Sequence, residues 1–341
     1  MNAFLPNRLF IEITRECNLR CKFCKIWKNK NPRDKLTTIE KTKIIYKFVD
    51  WIHKKKSSIN FKGENFSVVF TGGEPFLNVK EVLSLAKVCQ NVGLRSSINT
   101  NGTLVYPIIP KILGSGLTHV AFSLDSHIEN IHDSLRGVRG TFQIATQGIK
   151  KLLNERKIEM EPTVYIQSVL GGWNLENIDA LVNWAKELGV DGIEFQPLQY
   201  PFGHPSPPHS DWYKSYLFFP TEQQINAGLE TLLKMKKYNK DFIFNPISEI
   251  KSWYIYFKNP FVLPVGFQPC KALYQNIIVD ILGNIKFCFN KLLEPPDRIG
   301  NIRRNTFDEI WTGASATAVR KEMFFCQKSC GVMLCHRDAN L

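Results

Sequence analysis

Between Leu9 and Leu198, short β-branched or aromatic runs alternate with stretches of helical period, and nothing else in the chain restricts the fold as strongly. A strand followed each time by an amphipathic helix returns parallel to its predecessor, so the repeat predicts a parallel sheet with helices outside it. Six strands are expected: Leu9 to Thr14, Ser67 to Thr71, Arg95 to Thr100, His119 to Leu124, Glu161 to Val169 and Gly192 to Pro197. The intervening helices are expected near Thr38 to Lys55, Val79 to Val92, Ile108 to Leu113, Phe142 to Glu155 and Leu175 to Leu188. In such an arrangement the loops after the strands converge on one rim, which is where chemistry collects.

The polar motifs fall at those strand ends. After the first strand come Cys17, Cys21 and Cys24, spaced C-x3-C-x2-C. Three thiols are one fewer than a closed tetrahedral zinc or iron-sulfur site requires. A [4Fe-4S] cube on three thiolates keeps one iron open to a small molecule; a zinc knuckle or unliganded thiols is the alternative. After the second strand stands Thr71-Gly72-Gly73-Glu74-Pro75, where glycines permit close backbone approach to a ligand and a carboxylate can accept the protons of an ammonium. The third strand runs into Asn99-Thr100-Asn101-Gly102 and the fourth into Ser123-Leu124-Asp125-Ser126. Small polar side chains there suit ribose hydroxyls, though Asn99 and Asn101 serve equally well as turn formers.

The cysteine spacing, with Phe23 before the third thiol and Gly72-Gly73-Glu74-Pro75 one crossover later, resembles the signature of the radical S-adenosylmethionine (radical SAM) superfamily. The resemblance implies that the methionyl amine and carboxylate of SAM bind the open iron, and that one electron cleaves the sulfonium to a 5'-deoxyadenosyl radical. It also implies that Glu74, with Gly72 and Gly73, holds the SAM amino group, that Ser123 contacts the ribose, that Arg136 contacts the carboxylate and that Phe23 packs on adenine. Asp125 touches SAM or substrate, or caps a turn. Gln167 and Gln196, on the fifth and sixth strands, and Asn99 are further candidates.

A second cysteine group closes the chain. Cys270, Gly283 and Cys288 are spaced C-x12-G-x4-C, with strand-like Ile277 to Ile281 and Ile285 to Phe289 around a Gly283-Asn284 turn. Cys326, Cys330 and Cys335 follow. This resembles the auxiliary-cluster extensions called SPASM and twitch domains, and implies one auxiliary [4Fe-4S] cluster held by four of these five thiols. A structural zinc on the same thiols is the alternative. The fold class expected is α/β, a partial (β/α)6 TIM-like barrel with a small C-terminal β-hairpin plus helix auxiliary-cluster domain. The expected boundaries are 1–200 for the barrel, 201–264 for a linker and bridging helix, and 265–341 for the cluster domain. Cys89, on a crossover helix, reads as an ordinary buried thiol.

Between the two cysteine groups, Tyr200 to Tyr213 holds four prolines and reads as the exit from the barrel, with His204 and His209 solvated in it. Thr221 caps a helix expected to run to Lys237, and Trp253 to Phe257 reads as core or substrate-gate packing. The net charge of +13 is concentrated early, residues 1–60 carrying 15 Lys/Arg against 5 Asp/Glu. That excess would attract an acidic substrate or an electron donor such as flavodoxin or ferredoxin, or is simply a solvated lysine-rich surface. It lacks the interleaved aromatics of a nucleic-acid face. No apolar run is long enough for a membrane span and the start has no secretory signal, so no membrane partner and a cytoplasmic location are expected.

The reaction expected is hydrogen abstraction from a substrate lodged between Ser123, Gln167, Gln196 and the auxiliary cluster. The radical would then lead to a crosslink, an oxidation or an epimerisation. A ribosomally made peptide is the first candidate, although the first strand begins within ten residues of Met1 and leaves no room for a recognition domain ahead of it. A small sugar, nucleotide or cofactor precursor is the rival substrate. The readings from other classes are a non-enzymatic iron-sulfur electron carrier or sensor, and a zinc-bound nucleic-acid module.

Overall fold

The structure is a computed structural model that describes residues 5–55, 66–157, 162–204, 209, 211–261, 270–289 and 298–326. The barrel elements run β1 (Arg8–Thr14), α1 (Thr38–Lys55), β2 (Ser67–Gly72), α2 (Val79–Asn91), β3 (Arg95–Thr100), α3 (Ile109–Leu113) and β4 (His119–Ser123). They continue with α4 (Glu129–Arg136), α5 (Thr141–Glu155), β5 (Thr163–Leu170), α6 (Ile178–Leu188) and β6 (Gly192–Pro197). Then come α7 (Trp212–Ser215), α8 (Glu222–Tyr238), α9 (Ile247–Lys258), α10 (Ala272–Gln275), β7 (Asn276–Val279), β8 (Ile285–Lys286), α11 (Phe307–Thr312) and α12 (Ala314–Phe324).

All six expected strands form, in the spatial order β6-β5-β4-β3-β2-β1, every neighbour parallel, as an open α/β sheet. The C-terminal hairpin is not set apart from this sheet. β7 pairs in parallel with β1, Arg8 opposite Asn276 through Ile11 opposite Val279, and β8 folds back antiparallel on β7. On the opposite edge the chain returns beside β6, where the Ile193 and Phe244 amides donate to the Phe242 and Ile193 carbonyls at 2.8 and 2.9 Å. The Asn245 amide brackets Phe195, accepting from its N–H at 2.7 Å and donating to its carbonyl at 3.0 Å. The described residues between 201 and 261, expected as a linker and bridging helix, thus add a short backbone pairing beside β6 and the helices α8 and α9, whose Leu229, Leu232 and Trp253 are buried in the common core.

Alternation along the strands explains the shape. On β5, Val164, Ile166, Ser168 and Leu170 are fully buried toward the helices, while Thr163, Tyr165, Gln167 and Val169 face inward. The outward face packs on amphipathic helices, each fully buried aliphatic or aromatic side chain contributing roughly 1.5–3 kcal/mol. The inward face is largely polar, so the barrel encloses a cavity instead of the stacked apolar layers of a closed (β/α)8 core.

Local chemistry fixes the helix ends. Thr37 and Glu40 form a capping box for α1, and Thr221 with Gln224 does the same for α8, as expected of Thr221. Lys41, almost fully buried, crosses from α1 to bond Glu81 of α2 at 2.9 Å. Helix α4 is an addition to the expected elements: its eight residues carry only Ile131 and Leu135 as an aliphatic pair, too short a stripe for periodicity to register. It stops at Gly137 in the left-handed region, φ 73°.

Candidate active site

The thiol loop is tied down from three sides. From α4, the Arg136 and Leu135 carbonyls accept the Arg20 and Lys22 amides at 3.0 and 2.9 Å, which satisfies carbonyls a helix end otherwise leaves open. From the Pro-rich stretch, the Phe202 carbonyl accepts the Lys25 amide at 2.7 Å. From β3, the Asn101 amide donates to Asn18 at 2.8 Å, and Asn18 donates to Thr103 at 2.8 Å. The start of the stretch read as the barrel's exit therefore pairs with the thiol loop through Phe202. His204, expected to be solvated, lines the central cavity and its Nδ1 shares a hydrogen bond with the Tyr200 hydroxyl at 2.9 Å.

Gly72 and Gly73 serve a close approach, but to protein backbone. A Cβ on either would lie 2.1 Å from a carbonyl oxygen, that of Thr14 for Gly72 and that of Glu16 for Gly73. Gly72 also holds φ 135°, which only glycine adopts readily. The gain is two hydrogen bonds, Gly73 N–H to Thr14 at 2.7 Å and Glu74 N–H to Glu16 at 2.8 Å, which lash this turn to the residues leading into Cys17. The Glu74 carboxylate, 1% exposed, accepts from Phe76 N–H at 3.0 Å, the Thr100 hydroxyl at 2.8 Å and Asn101 N–H at 2.7 Å. Three of its roughly four acceptor positions are thus used inside the protein. Burial raises its pKa, and those three donors and the more distant Arg136 oppose the rise.

Arg136 sits behind the thiols. Its guanidinium meets the buried Asp125 carboxylate at 2.6 Å, lies 3.8 Å from the Cys21 sulfur and stacks 5.5 Å from the Phe23 ring centre. Burial alone would lower the Arg136 pKa, but Asp125 and the Cys21 sulfur raise it, so the group stays cationic. Asp125 also accepts Val169 N–H at 2.9 Å, which joins β4 to β5 at the rim. Phe23 also stacks against Trp173, 5.6 Å between centres. Leu19, Leu135 and Leu198 complete an apolar collar around the loop.

Cys17, Cys21 and Cys24 line one cavity of about 1070 Å³ together with Phe23, Gly72, Gly73 and Glu74, and with Asn99, Ser123, Arg136, Gln167 and Gln196. Every residue expected at the barrel site except Asp125 thus faces a common space, and Asp125 reaches it through Arg136. Asn99 donates to Gln167 at 2.8 Å across β4. Ser123, Gln167 and Glu194 are register partners along one row. Burial pushes the Cys17 thiol up to about 11 and Cys24 up to about 12. Thiols in such surroundings ionise readily only beside added positive charge, which a bound metal centre supplies. A soft donor set of three thiols, an apolar collar and one fixed guanidinium fits an iron-sulfur cluster. Among the described residues, no group of three or more His, Cys, Asp or Glu side chains is gathered for a single metal ion.

In the C-terminal part Cys270 is buried ahead of α10, Cys288 follows β8 and Cys326 follows α12, the latter two half-buried. Cys330 and Cys335 lie outside the described residues. Cys89 is fully buried and its thiol pKa is raised by burial, as expected of a core thiol. Asn18, Trp173, Glu194 and Glu249 were not singled out from the sequence. Asn18 stands inside the thiol loop and Trp173 follows a Gly171-Gly172 pair, but neither has a spacing that marks it. Glu194 was legible only as an inward position of the sixth strand.

Comparison with known proteins agrees with this geometry. The radical SAM superfamily model matches residues 11–185, and SPASM, an iron-sulfur cluster-binding domain, matches residues 270–336. The AdoMet-dependent heme synthase of Methanosarcina barkeri is 31% identical over 187 residues, 54% of this chain and 48% of that protein. The chain spans a third to a half of the length of this and similar curated relatives. Among solved structures, anSMEcpe with bound AdoMet and a peptide has a TM-score of 0.66 at 18% identity, covering 94% of this chain and 84% of that one. Streptococcus suis SuiB bound to precursor peptide SuiA also has a TM-score of 0.66 at 18% identity, covering 93% and 67%. At that identity the likeness is one of fold.

Proposed function

The chain belongs to the radical SAM superfamily, and from that premise we propose that it is an enzyme that cleaves S-adenosylmethionine reductively and takes a hydrogen atom from a carbon of a ribosomally made peptide. Membership implies SAM and a [4Fe-4S] cluster at the barrel, and the C-terminal match implies iron-sulfur there as well. The observation that carries the reading is the convergence of the three thiols, the Gly72-Gly73-Glu74 turn and the inward polar row on one cavity.

When bound at Cys17, Cys21 and Cys24, the cluster supplies an electron and an iron open to SAM. The remaining work falls to the chain's own groups. Arg136 offsets negative charge beside Cys21 and is itself held by Asp125. Phe23 and Trp173 exclude water from one wall, with Phe23 against the adenine. Ser123 serves the ribose, and Asn99, Gln167 and Gln196 orient SAM and substrate by hydrogen bonds. Glu74 is assigned a positioning part: its carboxylate fixes the Thr100-Asn101 turn, through which Asn18 and the thiol loop are aligned. Cys270 and Cys288, with two of the tail thiols, hold one auxiliary cluster.

The electron comes from an acidic partner such as flavodoxin or ferredoxin, met by the exposed Arg20, Lys22 and Lys28 around the thiol loop. Among the described residues no helix is long and apolar enough to cross a membrane, and we assign the protein to the cytoplasm. Support for a peptide comes from structures of the same fold solved with peptides bound. A small cofactor precursor is the second reading, favoured by the heme synthase, whose identity to this chain is higher.

Anaerobic reconstitution with SAM and a reductant tests the proposal. Wild type should hold iron and release 5'-deoxyadenosine, and Cys21→Ala should do neither at the barrel site. A short peptide encoded beside the gene should then change mass. Lack of 5'-deoxyadenosine from iron-loaded wild type sinks the enzyme reading. Turnover of a small cofactor precursor with the peptide untouched replaces the substrate.

A further inference from the structure

The floor of the cavity carries charge that the chemistry above leaves unused. Glu194 is the register partner of Gln167, so it lies one inward layer, roughly 7 Å along the strand, below Gln196. Glu249 of α9 lines the same cavity and is 6% exposed. Among the described residues no hydrogen bond reaches the Glu194 carboxylate, and the Glu249 carboxylate accepts one, from the Asn245 amide at 3.1 Å. The titratable groups acting on the pair are Arg8 from β1, Tyr165 from β5 and the two carboxylates themselves. Lys271 and Lys286 line the cavity toward the hairpin. Arg95 and His119 line it from β3 and β4. Of these cations only Arg8 acts on the two carboxylates, so that when both are ionised two negative charges face one guanidinium.

A second observation points the same way. Asn276, opposite Arg8 in the ladder and 1% exposed, has both its amide oxygen and its amide nitrogen without a hydrogen-bond partner among the described residues. Register partners share a sheet face, so this amide belongs to the inward face with Arg8. The Asn7 amide oxygen, which does line the cavity, likewise has no partner among the described residues. Buried amides left in this state are costly and are relieved when a polar group enters.

We propose that Glu194 and Glu249 receive a cationic group of the substrate, a primary ammonium or a guanidinium, with the floor amides completing its hydrogen bonds. The proposal rests on the peptide reading above and narrows it: the bound segment presents a lysine or arginine side chain or a free amino end, while its reacting carbon lies toward the thiol loop. An ammonium carries three donors and no acceptor, which suits carboxylates and an amide oxygen. Phosphate-rich ligands would meet like charge there. Burial raises Glu194 to about 7, with Arg8 opposing. Burial raises Glu249 to about 8, with the Asn245 bond opposing, Glu194 adding to the rise and Arg8 opposing. A cation needs the ionised forms, so its binding should release protons and strengthen as pH rises through 7 to 8.

The test titrates anaerobic holoenzyme with SAM against acetyl-Ala-Xaa-Ala-amide peptides, Xaa being lysine, arginine or uncharged norleucine, by calorimetry at pH 6.5 and 8.5. At pH 8.5 the lysine and arginine peptides should bind about tenfold or more tightly than the norleucine peptide. That ratio should shrink at pH 6.5, and Glu194→Gln and Glu249→Gln should each bring it toward one. Should either variant fail to fold, the pH dependence of the wild-type ratio decides. Equal affinity for all three peptides, a preference that survives both substitutions, or tighter binding of GTP would overturn the proposal. 5'-Deoxyadenosine measured after a chemical reductant is added to the same samples reports on the enzyme reading separately, since its absence leaves the binding ratio standing.

Discussion

Gly73→Ala is the sharpest probe of how the site is assembled. The backbone at Gly73 does not need positive φ, so the substitution adds bulk and nothing else. Its Cβ would start 2.1 Å from the Glu16 carbonyl oxygen, whereas carbon and oxygen rarely approach closer than about 3.3 Å. The turn must therefore retreat by roughly 1 Å. That carries the Gly73 and Glu74 amides, now 2.7 and 2.8 Å from Thr14 and Glu16, out of hydrogen-bond range. Two shielded donors losing partners cost about 2–6 kcal/mol together, enough to lower Tm by several degrees. Glu16 directly precedes Cys17, so the thiol loop moves as well, and a 1 Å misplacement lowers the rate of SAM cleavage by about a hundredfold. The control is Gly93→Ala, where φ is 72° but nothing lies within 4 Å of the added carbon. It should cost only the roughly 1–2 kcal/mol of left-handed backbone and leave cleavage intact. Tm by differential scanning calorimetry and 5'-deoxyadenosine release on anaerobically reconstituted protein are the assays. A Gly73→Ala protein that melts within about 2 °C of wild type and cleaves SAM within about threefold refutes the reasoning.

Three further outcomes follow from other contacts. Asp125→Asn removes the charge facing Arg136 and should cost about 3 kcal/mol or more, read as a lower denaturant midpoint; an unchanged midpoint would mean the guanidinium finds other compensation. Thr221→Ala breaks the α8 capping box and should cost about 1 kcal/mol in the same assay while leaving SAM cleavage unchanged, and a loss of cleavage would contradict a purely structural cap. The floor carboxylates give a pH signature. Folded pKa values of about 7 for Glu194 and about 8 for Glu249 exceed the unfolded carboxylate value, so the native state binds more protons and its stability falls as pH climbs from about 4.5 to 8. Glu194→Gln should therefore flatten that decline and gain on wild type toward pH 8, and parallel stability profiles would rule it out.

The six strands were legible because each is a short β-branched run bounded by turn residues, and the thiol triplet because metal ligands demand a spacing. What stayed hidden depends on contacts far apart in sequence. Nothing in Glu129 to Arg136 announces that its last carbonyls will hold the thiol loop, since that contact exists only after β4 and β1 share a sheet. The prolines after Tyr200 do mark an end to regular structure, yet the return of Phe202 onto Lys25 is a tertiary event. Glycine at Gly72 and Gly73 signalled close approach, and only the structure identified the partner as backbone. Glu194 and Glu249 come from a strand and a helix more than fifty residues apart, so no local pattern joins them.

Strand β1 has hydrogen-bonded neighbours on both sides, and the C-terminal hairpin is one of them. A shortened chain that ends before Asn276 would leave Arg8 to Ile11 as a raw, largely apolar border with unsatisfied amides and carbonyls, inviting another molecule to dock there. Attempts to obtain the barrel half alone should thus yield aggregates, and the two cysteine-bearing ends of this polypeptide have to be made and folded together.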